Sequence, residues 1–215
     1  LTVTKSGAGN GSVASPDNKI NCDSATCWSF STGFSSDTIV NLIATADSRS
    51  TFTGWSGACT NTTGTCTVTM NAAQTVTANF NLASYSLSIS KSGNGLIYTD
   101  DYKINCGSTC SADFNSGITV NLNATPDAGY IFSNWSNGCT GSGACSILMN
   151  SAKAVLATFN PAPTYAIGLV ANPAIGGSVS CSVNPVIQGG STNCTATPNA
   201  GLLDLVAIAT ALIAA

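Results

Sequence analysis

Two stretches of this chain repeat one another, so whatever fold it adopts must be built at least twice from one pattern. Leu1–Phe80 aligns with Tyr85–Phe159. Leu1-x-Val3-x-Lys5-Ser6-Gly7 matches Leu87-x-Ile89-x-Lys91-Ser92-Gly93, and Asn10-Gly11 matches Asn94-Gly95. Lys19-Ile20-Asn21-Cys22 matches Lys103-Ile104-Asn105-Cys106, and Val40-Asn41-Leu42 matches Val120-Asn121-Leu122. Phe52-x-x-Trp55-Ser56 matches Phe132-x-x-Trp135-Ser136, with Cys59 and Cys66 matching Cys139 and Cys145. Met70-Asn71 and Phe80 match Met149-Asn150 and Phe159. Length differences fall in Gly-, Ser- and Asn-rich stretches, the composition of loops.

A third unit starts at Tyr165, after Asn160–Thr164. Its Ala196-Thr197-Pro198-Asn199-Ala200-Gly201 matches Ala124-Thr125-Pro126-Asp127-Ala128-Gly129, and the match ends there. The expected organisation is therefore three modules, residues 1–80, 85–159 and 165–215, the last partial or divergent. Short linkers at Asn81–Ser84 and Asn160–Thr164 would set their spacing.

Within each unit apolar residues alternate with small polar ones. Tyr85, Leu87 and Ile89 alternate with serines; Val120, Leu122 and Ala124, like Val76, Ala78 and Phe80, alternate with Thr and Asn. Period two with one hydroxyl-rich face marks half-buried antiparallel strands. Asn-Gly after such a run predicts a tight hairpin at Asn10-Gly11 and Asn94-Gly95. No stretch up to Gly201 reads as a helix. The fold expected is all-β: tandem small antiparallel β-domains of roughly five to six strands each, stapled by local disulfides.

The staples are inferred from the cysteines. Ten are present, and each complete unit carries two close pairs at matching places. The pairing expected is Cys22–Cys27, Cys59–Cys66, Cys106–Cys110 and Cys139–Cys145, with Cys181–Cys194 joining two strands of the third unit. Closing such loops contributes about 2 kcal/mol for each short one and about 3 for the longest. Modules this small need that help, because their cores are marginal. Zinc is disfavoured, since the chain has no His and the spacings vary between equivalent positions. No metal, cofactor or catalytic residue is assigned.

These residues resemble the divergent internalin-type B-repeat family of bacterial secreted and surface proteins. The matching string is Leu-x-Val-x-Lys-Ser-Gly-x-Gly-x-Val, then Ile-x-Cys, Val-x-Leu-x-Ala, Phe-x-x-Trp-Ser-Gly-x-Cys, Cys-x-Val-x-Met-Asn and Val-x-Ala-x-Phe. Two full units fit it, with Ile for Val at Ile89, Ile97 and Ile147 in the second, and the third fits to Gly201. The resemblance implies short β-rich modules in tandem outside the cell, serving as stalks or adhesive segments. It brings no catalytic residues and fixes no ligand.

Composition narrows the function from the other side. Only 7% of the 215 residues are charged, Glu and His are absent, and the net charge is −3. No basic face exists for nucleic acid, and the commonest acid–base side chains are missing. Solubility rests on the 55 Ser and Thr residues. No stretch reaches the length of a membrane span. The chain opens at Leu1 inside a strand pattern without a signal peptide, as a processed product would. Cysteine use points to an oxidising, extracellular or cell-surface location.

Several residues stand out as candidate contacts. Trp55 and Trp135 recur at one position and read as core anchors, with sugar stacking as the alternative. Trp28 has Ser111 as its counterpart and is the candidate surface contact, a glycan being its partner. Asp17 and the pair Asp100-Asp101 read as solvated turn residues, with calcium as the competing reading. The apolar tail is the strongest anomaly. Leu202, Leu203, Leu205, Val206, Ile208, Leu212 and Ile213 form a candidate intersubunit segment. It is either the end of a longer chain, a strand that docks on another copy, or core that closes the third unit. The function expected is a non-enzymatic extracellular structural or adhesive repeat protein, self-associating into a filament or stalk. The alternative is a carbohydrate-binding accessory module.

Overall fold

In the computed structural model the described residues are 1–24, 29–107, 109–172, 174, 176–200 and 206–211, the last for backbone only. The first repeat forms β1 (Thr2–Ser6), β2 (Gly11–Ala14), β3 (Asn21–Cys22), β4 (Ser29–Ser31), β5 (Ile39–Ala46), β6 (Ser50–Gly57), β7 (Cys66–Thr69) and β8 (Thr75–Leu82). The second forms β9 (Ser84–Ser92), β10 (Gly95–Thr99), β11 (Ser111–Asn115), β12 (Thr119–Pro126), β13 (Tyr130–Asn137), β14 (Cys145–Leu148) and β15 (Lys153–Pro161). The remainder gives β16 (Thr164–Tyr165), β17 (Ile167–Asn172), β18 (Gly177–Cys181), β19 (Val186–Ile187), β20 (Cys194–Pro198) and β21 (Val206–Ala211). The chain is all-β, and no described helix is long and apolar enough to cross a membrane.

Each full repeat is two sheets closed on one core. In the first they run β4-β1-β8-β6 and β3-β2-β5-β7; in the second, β11-β9-β15-β13 and β10-β12-β14. Val3, Val13, Leu42, Val76 and Phe80 are fully buried between the first pair; Leu87, Ile97, Met149, Val155 and Phe159 sit between the second. Val76, Phe80 and Leu87 are residues of the period-two runs, and the Thr, Asn and Ser beside them are exposed or half-buried.

Three expectations are corrected. The full repeats hold more strands than five to six, because short pieces such as β3 and β4 pair as separate edges. The first and last strands of each repeat run parallel, not antiparallel: β1 pairs with β8 and β9 with β15. Parallel neighbours need a long crossover, and the rest of the repeat supplies it. The Asn-Gly hairpins do not form. β1 and β2 lie in different sheets, as do β9 and β10, so Asn10-Gly11 and Asn94-Gly95 carry the chain across the core.

Glycine is required there by close approach. A Cβ on Gly11 would lie 2.4 Å from the Phe80 ring, and one on Gly95 would lie 2.4 Å from the Phe159 ring. Asn10 serves the crossing by accepting a 3.0 Å hydrogen bond from the Gly11 amide through its side-chain oxygen.

The Phe-x-x-Trp spacing also finds its cause. In an unbroken strand, residues three apart face opposite sides. Both β6 and β13 shift register after the Phe, between Phe52 and Gly54 and between Phe132 and Asn134. The bulge inserts one residue and returns Trp to the side of Phe. Phe132 then packs 4.9 Å from Trp135 and 5.5 Å from Phe159, ring centre to ring centre. The first repeat has the same trio, with Phe52 5.3 Å from Trp55 and 5.5 Å from Phe80.

The joint between the repeats has almost no slack. Residues 81–84 are largely strand: β8 runs to Leu82 and β9 starts at Ser84. The residue between them, Ala83, donates to the Arg49 carbonyl at 2.9 Å and accepts from the Ser116 amide at 2.7 Å. The next joint has two residues between β15 and β16, each tied to one side. Ala162 donates to the Gly129 carbonyl at 2.8 Å, and the Pro163 carbonyl accepts from the Gln188 amide at 2.8 Å.

In the third unit the described strands form two-stranded sheets only: β16-β19, β17-β21 and β18-β20. Its backbone follows the earlier plan in part. β18 pairs with β20 as β10 pairs with β12, and Cys181 faces Cys194 where Thr99 faces Leu122. The buried apolar core of the described residues ends at Phe159.

Candidate functional site

The staples lie at loops and strand ends. Disulfides join Cys59 to Cys66, Cys106 to Cys110, Cys139 to Cys145 and Cys181 to Cys194, with Cα–Cα distances of 5.9, 4.4, 5.7 and 3.9 Å. Cys59–Cys66 and Cys139–Cys145 close the loop that follows each Trp strand. Cys22 is fully buried and disulfide-bonded. Its expected partner Cys27 lies outside the described residues, and so does Trp28.

Trp55 and Trp135 are core residues, 4% and 3% exposed. Their indole N–H groups donate to the Gly64 and Gly143 carbonyls at 3.3 and 3.0 Å, and their burial leaves no ring face for a ligand. Lys5 is the other buried group of note. Its Nζ donates to the carbonyls of Asp23 at 2.6 Å and Gly11 at 3.0 Å. Burial pushes its ammonium below the usual lysine range, against the opposing pull of the Asp23 and Asp47 carboxylates.

Asp17 and Asp101 cap turns. The Ser15 hydroxyl donates to Asp17 at 2.5 Å and the Lys19 amide does so at 3.2 Å. Thr99 and Lys103 treat Asp101 alike, at 2.6 and 3.1 Å. These hydroxyl and then amide donors hold both carboxyls below the usual aspartate range. Asp17 and Asp101 are thus structural residues of the turn.

Asp100 behaves differently. Asn123 donates to one of its carboxylate oxygens at 2.7 Å and Asn121 to the other at 3.2 Å. Ser146 donates in turn to Asn121 at 2.7 Å. Tyr98 is the direct cross-strand partner of Asn123. Its ring stacks on Tyr102, 5.2 Å between centres and 5° between planes, and Tyr102 is 63% exposed. Sequence reasoning marked Asp100 but missed Tyr98, Tyr102, Asn121 and Asn123. The available signal was where the two repeats differ, not where they agree.

The third unit presents an apolar cleft of about 580 Å³, lined by Tyr165, Ile167, Val186, Ile187 and Cys194 among others. Of the candidate intersubunit segment, Leu202, Leu203, Leu205, Leu212 and Ile213 lie outside the described residues. Val206 and Ile208 fall in β21, whose backbone pairs antiparallel with β17 of the same chain.

Among solved structures the Bacillus anthracis TIE protein is similar at a TM-score of 0.47 and 13% identity, over 98% of this chain and 43% of its own. The chain thus spans less than half the length of that protein. The major pilin protein (T-13) of Streptococcus pyogenes gives a TM-score of 0.31 at 10% identity, over 75% of this chain and 96% of its own. The shaft pilin spaA of Lactobacillus rhamnosus GG gives 0.25 at 10%, over 75% and 97%. No curated protein matches the chain. The family model of the divergent InlB B-repeat domain matches residues 1–84, 85–163 and 167–202, nearly the whole chain. A closed two-sheet unit built twice, begun a third time and matched by one family model each time places this chain in the divergent InlB B-repeat family.

Proposed function

We propose that the chain is a non-enzymatic structural and adhesive segment of an extracellular protein, a rod of tandem repeats that associates with copies of itself. The joint between repeats is the observation that carries the reading. One residue passes between the two full repeats, held by a hydrogen bond on each side, and the following joint, two residues long, is likewise tied to both sides. Such a joint gives a spacer stiffness. Family membership and the disulfides are consistent with an extracellular or cell-surface location. The module boundaries at 1–80, 85–159 and 165–215 form part of the proposal.

Self-association is assigned to the third unit. β17 takes the place of β1 and β9 but has one described neighbour, β21, in a two-stranded sheet. Such a sheet is marginal by itself. Val170, Val183 and Ile187 are 54%, 54% and 44% exposed. Exchanging β21 between copies keeps every β17–β21 backbone bond while linking two chains. Sedimentation velocity across a concentration series tests this. The chain assembles with rising concentration and the Ile208→Asp variant does not; a wild-type chain that stays monomeric throughout overturns the proposal.

A further inference from the structure

The two full repeats share a fold, so the first shows what the second needs for folding alone. On the outer face of the β10–β12–β14 sheet they part company. The second repeat has Tyr98, Asp100, Tyr102 and Asn123 where the first has Ala14, Pro16, Asn18 and Ile43. Asn121 and Ser146 have counterparts in Asn41 and Thr67, which keep the same hydrogen bond at 2.8 Å. The fold therefore accounts for the Ser146–Asn121 pair and not for the other four residues.

Tyr102 also occupies a position that disfavours it. Its φ is +55°, and Asn18 at the same place has φ +58°. The left-handed region suits Asn, whereas a bulky side chain there is an outlier. Strain of this kind gathers at functional sites. In this case it sets an aromatic ring on the surface, one face on Tyr98 and the other toward solvent, with 63% of the residue exposed.

We propose that Tyr98, Tyr102, Asp100 and Asn123 form a binding site for a neutral pyranose of a polysaccharide. The free face of Tyr102 takes the C–H face of the sugar ring. Asp100, held by Asn121 and Asn123, accepts from neighbouring hydroxyls through the lone pairs those amides leave open. Fixing the carboxylate beforehand lowers the ordering cost of binding. Its negative charge rejects uronic and sialic acids, and the chain's net charge of −3 acts the same way. The site deepens the adhesive part of the proposed function. Self-association is read separately by sedimentation, so either idea can fail without the other.

The test is retention of the full chain on microcrystalline cellulose, chitin, xylan and mannan, with immobilised hyaluronan as the acidic arm. At least one neutral polymer retains the wild type, and hyaluronan does not. Tyr102→Asn, which installs the residue of the first repeat, and Asp100→Asn each weaken retention roughly tenfold, the loss of one stacking or charge-assisted contact. Melting curves for both variants show whether they fold. No retention of the wild type on any neutral polymer overturns the proposal. Equal retention on hyaluronan overturns it, and so does retention that folded variants keep in full.

Discussion

At the residue scale, the turn carboxylates couple the fold to pH. Asp17 and Asp101 have carboxyl groups held below their ordinary range by Ser15 or Thr99 and by the following amide. A depressed folded value gives stability that is full above the unfolded carboxyl value, about 3.9, and is lost as pH falls through the folded value. The double variant Asp17→Asn/Asp101→Asn removes that titration. Its melting temperature should lie below that of the wild type at neutral pH, and the gap should shrink on acidification below about pH 4. A gap that stays constant from neutral to acid pH contradicts this linkage. Both turns were legible in the sequence as Asp-rich punctuation. What could not be read there was that Asp101 looks inward to the turn and its neighbour Asp100 outward to the sheet. That division depends on which amides from β12 come within reach, a tertiary fact.

At the scale of elements, the strands were legible wherever side chains alternated, and the misreadings occurred at breaks in alternation. Asn-Gly has the local chemistry of a hairpin, yet the Phe80 and Phe159 rings occupy the space above Gly11 and Gly95. Core closure by the last strand overrides the turn preference, and that strand is far away in sequence. The Phe-x-x-Trp interval is the converse case. It breaks period two in both repeats, and a break conserved between them is a bulge written into the sequence. If the bulge exists to bring Trp135 into the core, truncation should be severe. Trp135→Ala should cost about 3–5 kcal/mol, the range for deleting a buried indole. Denaturant titration followed at the second repeat measures it. A loss under 1 kcal/mol would place Trp135 outside the load of the core, against its 3% exposure.

On the scale of the whole molecule, the joint at Ala83 decides whether the repeats act as one body. Its two backbone hydrogen bonds tie it to Arg49 on one side and Ser116 on the other. Arg49 also reaches across, its guanidinium 3.0 Å from where a Cβ on Gly117 would stand. Inserting Gly-Ser-Gly-Ser after Ala83 converts this hinge-free passage into a flexible coil. Solution scattering should then show a broader distribution of end-to-end distances for the insert than for the wild type, with unchanged melting of each repeat. Identical scattering from the two chains would mean the native joint is already loose. The sequence suggested a linker here because Asn81–Ser84 separates two matching units. It could not show that strands run through that linker, since pairing partners at Ser50 and Asn115 come from either side.

The parallel pairing of first and last strands has a mechanical consequence. Tension on a chain of such repeats enters at the start of β1 and leaves at the end of β8. In a parallel pair these points lie at opposite ends of the shared ladder, here Thr2–Ser6 against Thr75–Asn79. Pulling therefore slides the two strands past each other and strains their hydrogen bonds together, where an antiparallel closing pair would peel open bond by bond. β9 and β15 repeat the arrangement. The closing strand that defeats the hairpin reading is thus also a shear clamp, set in line with any force the rod transmits.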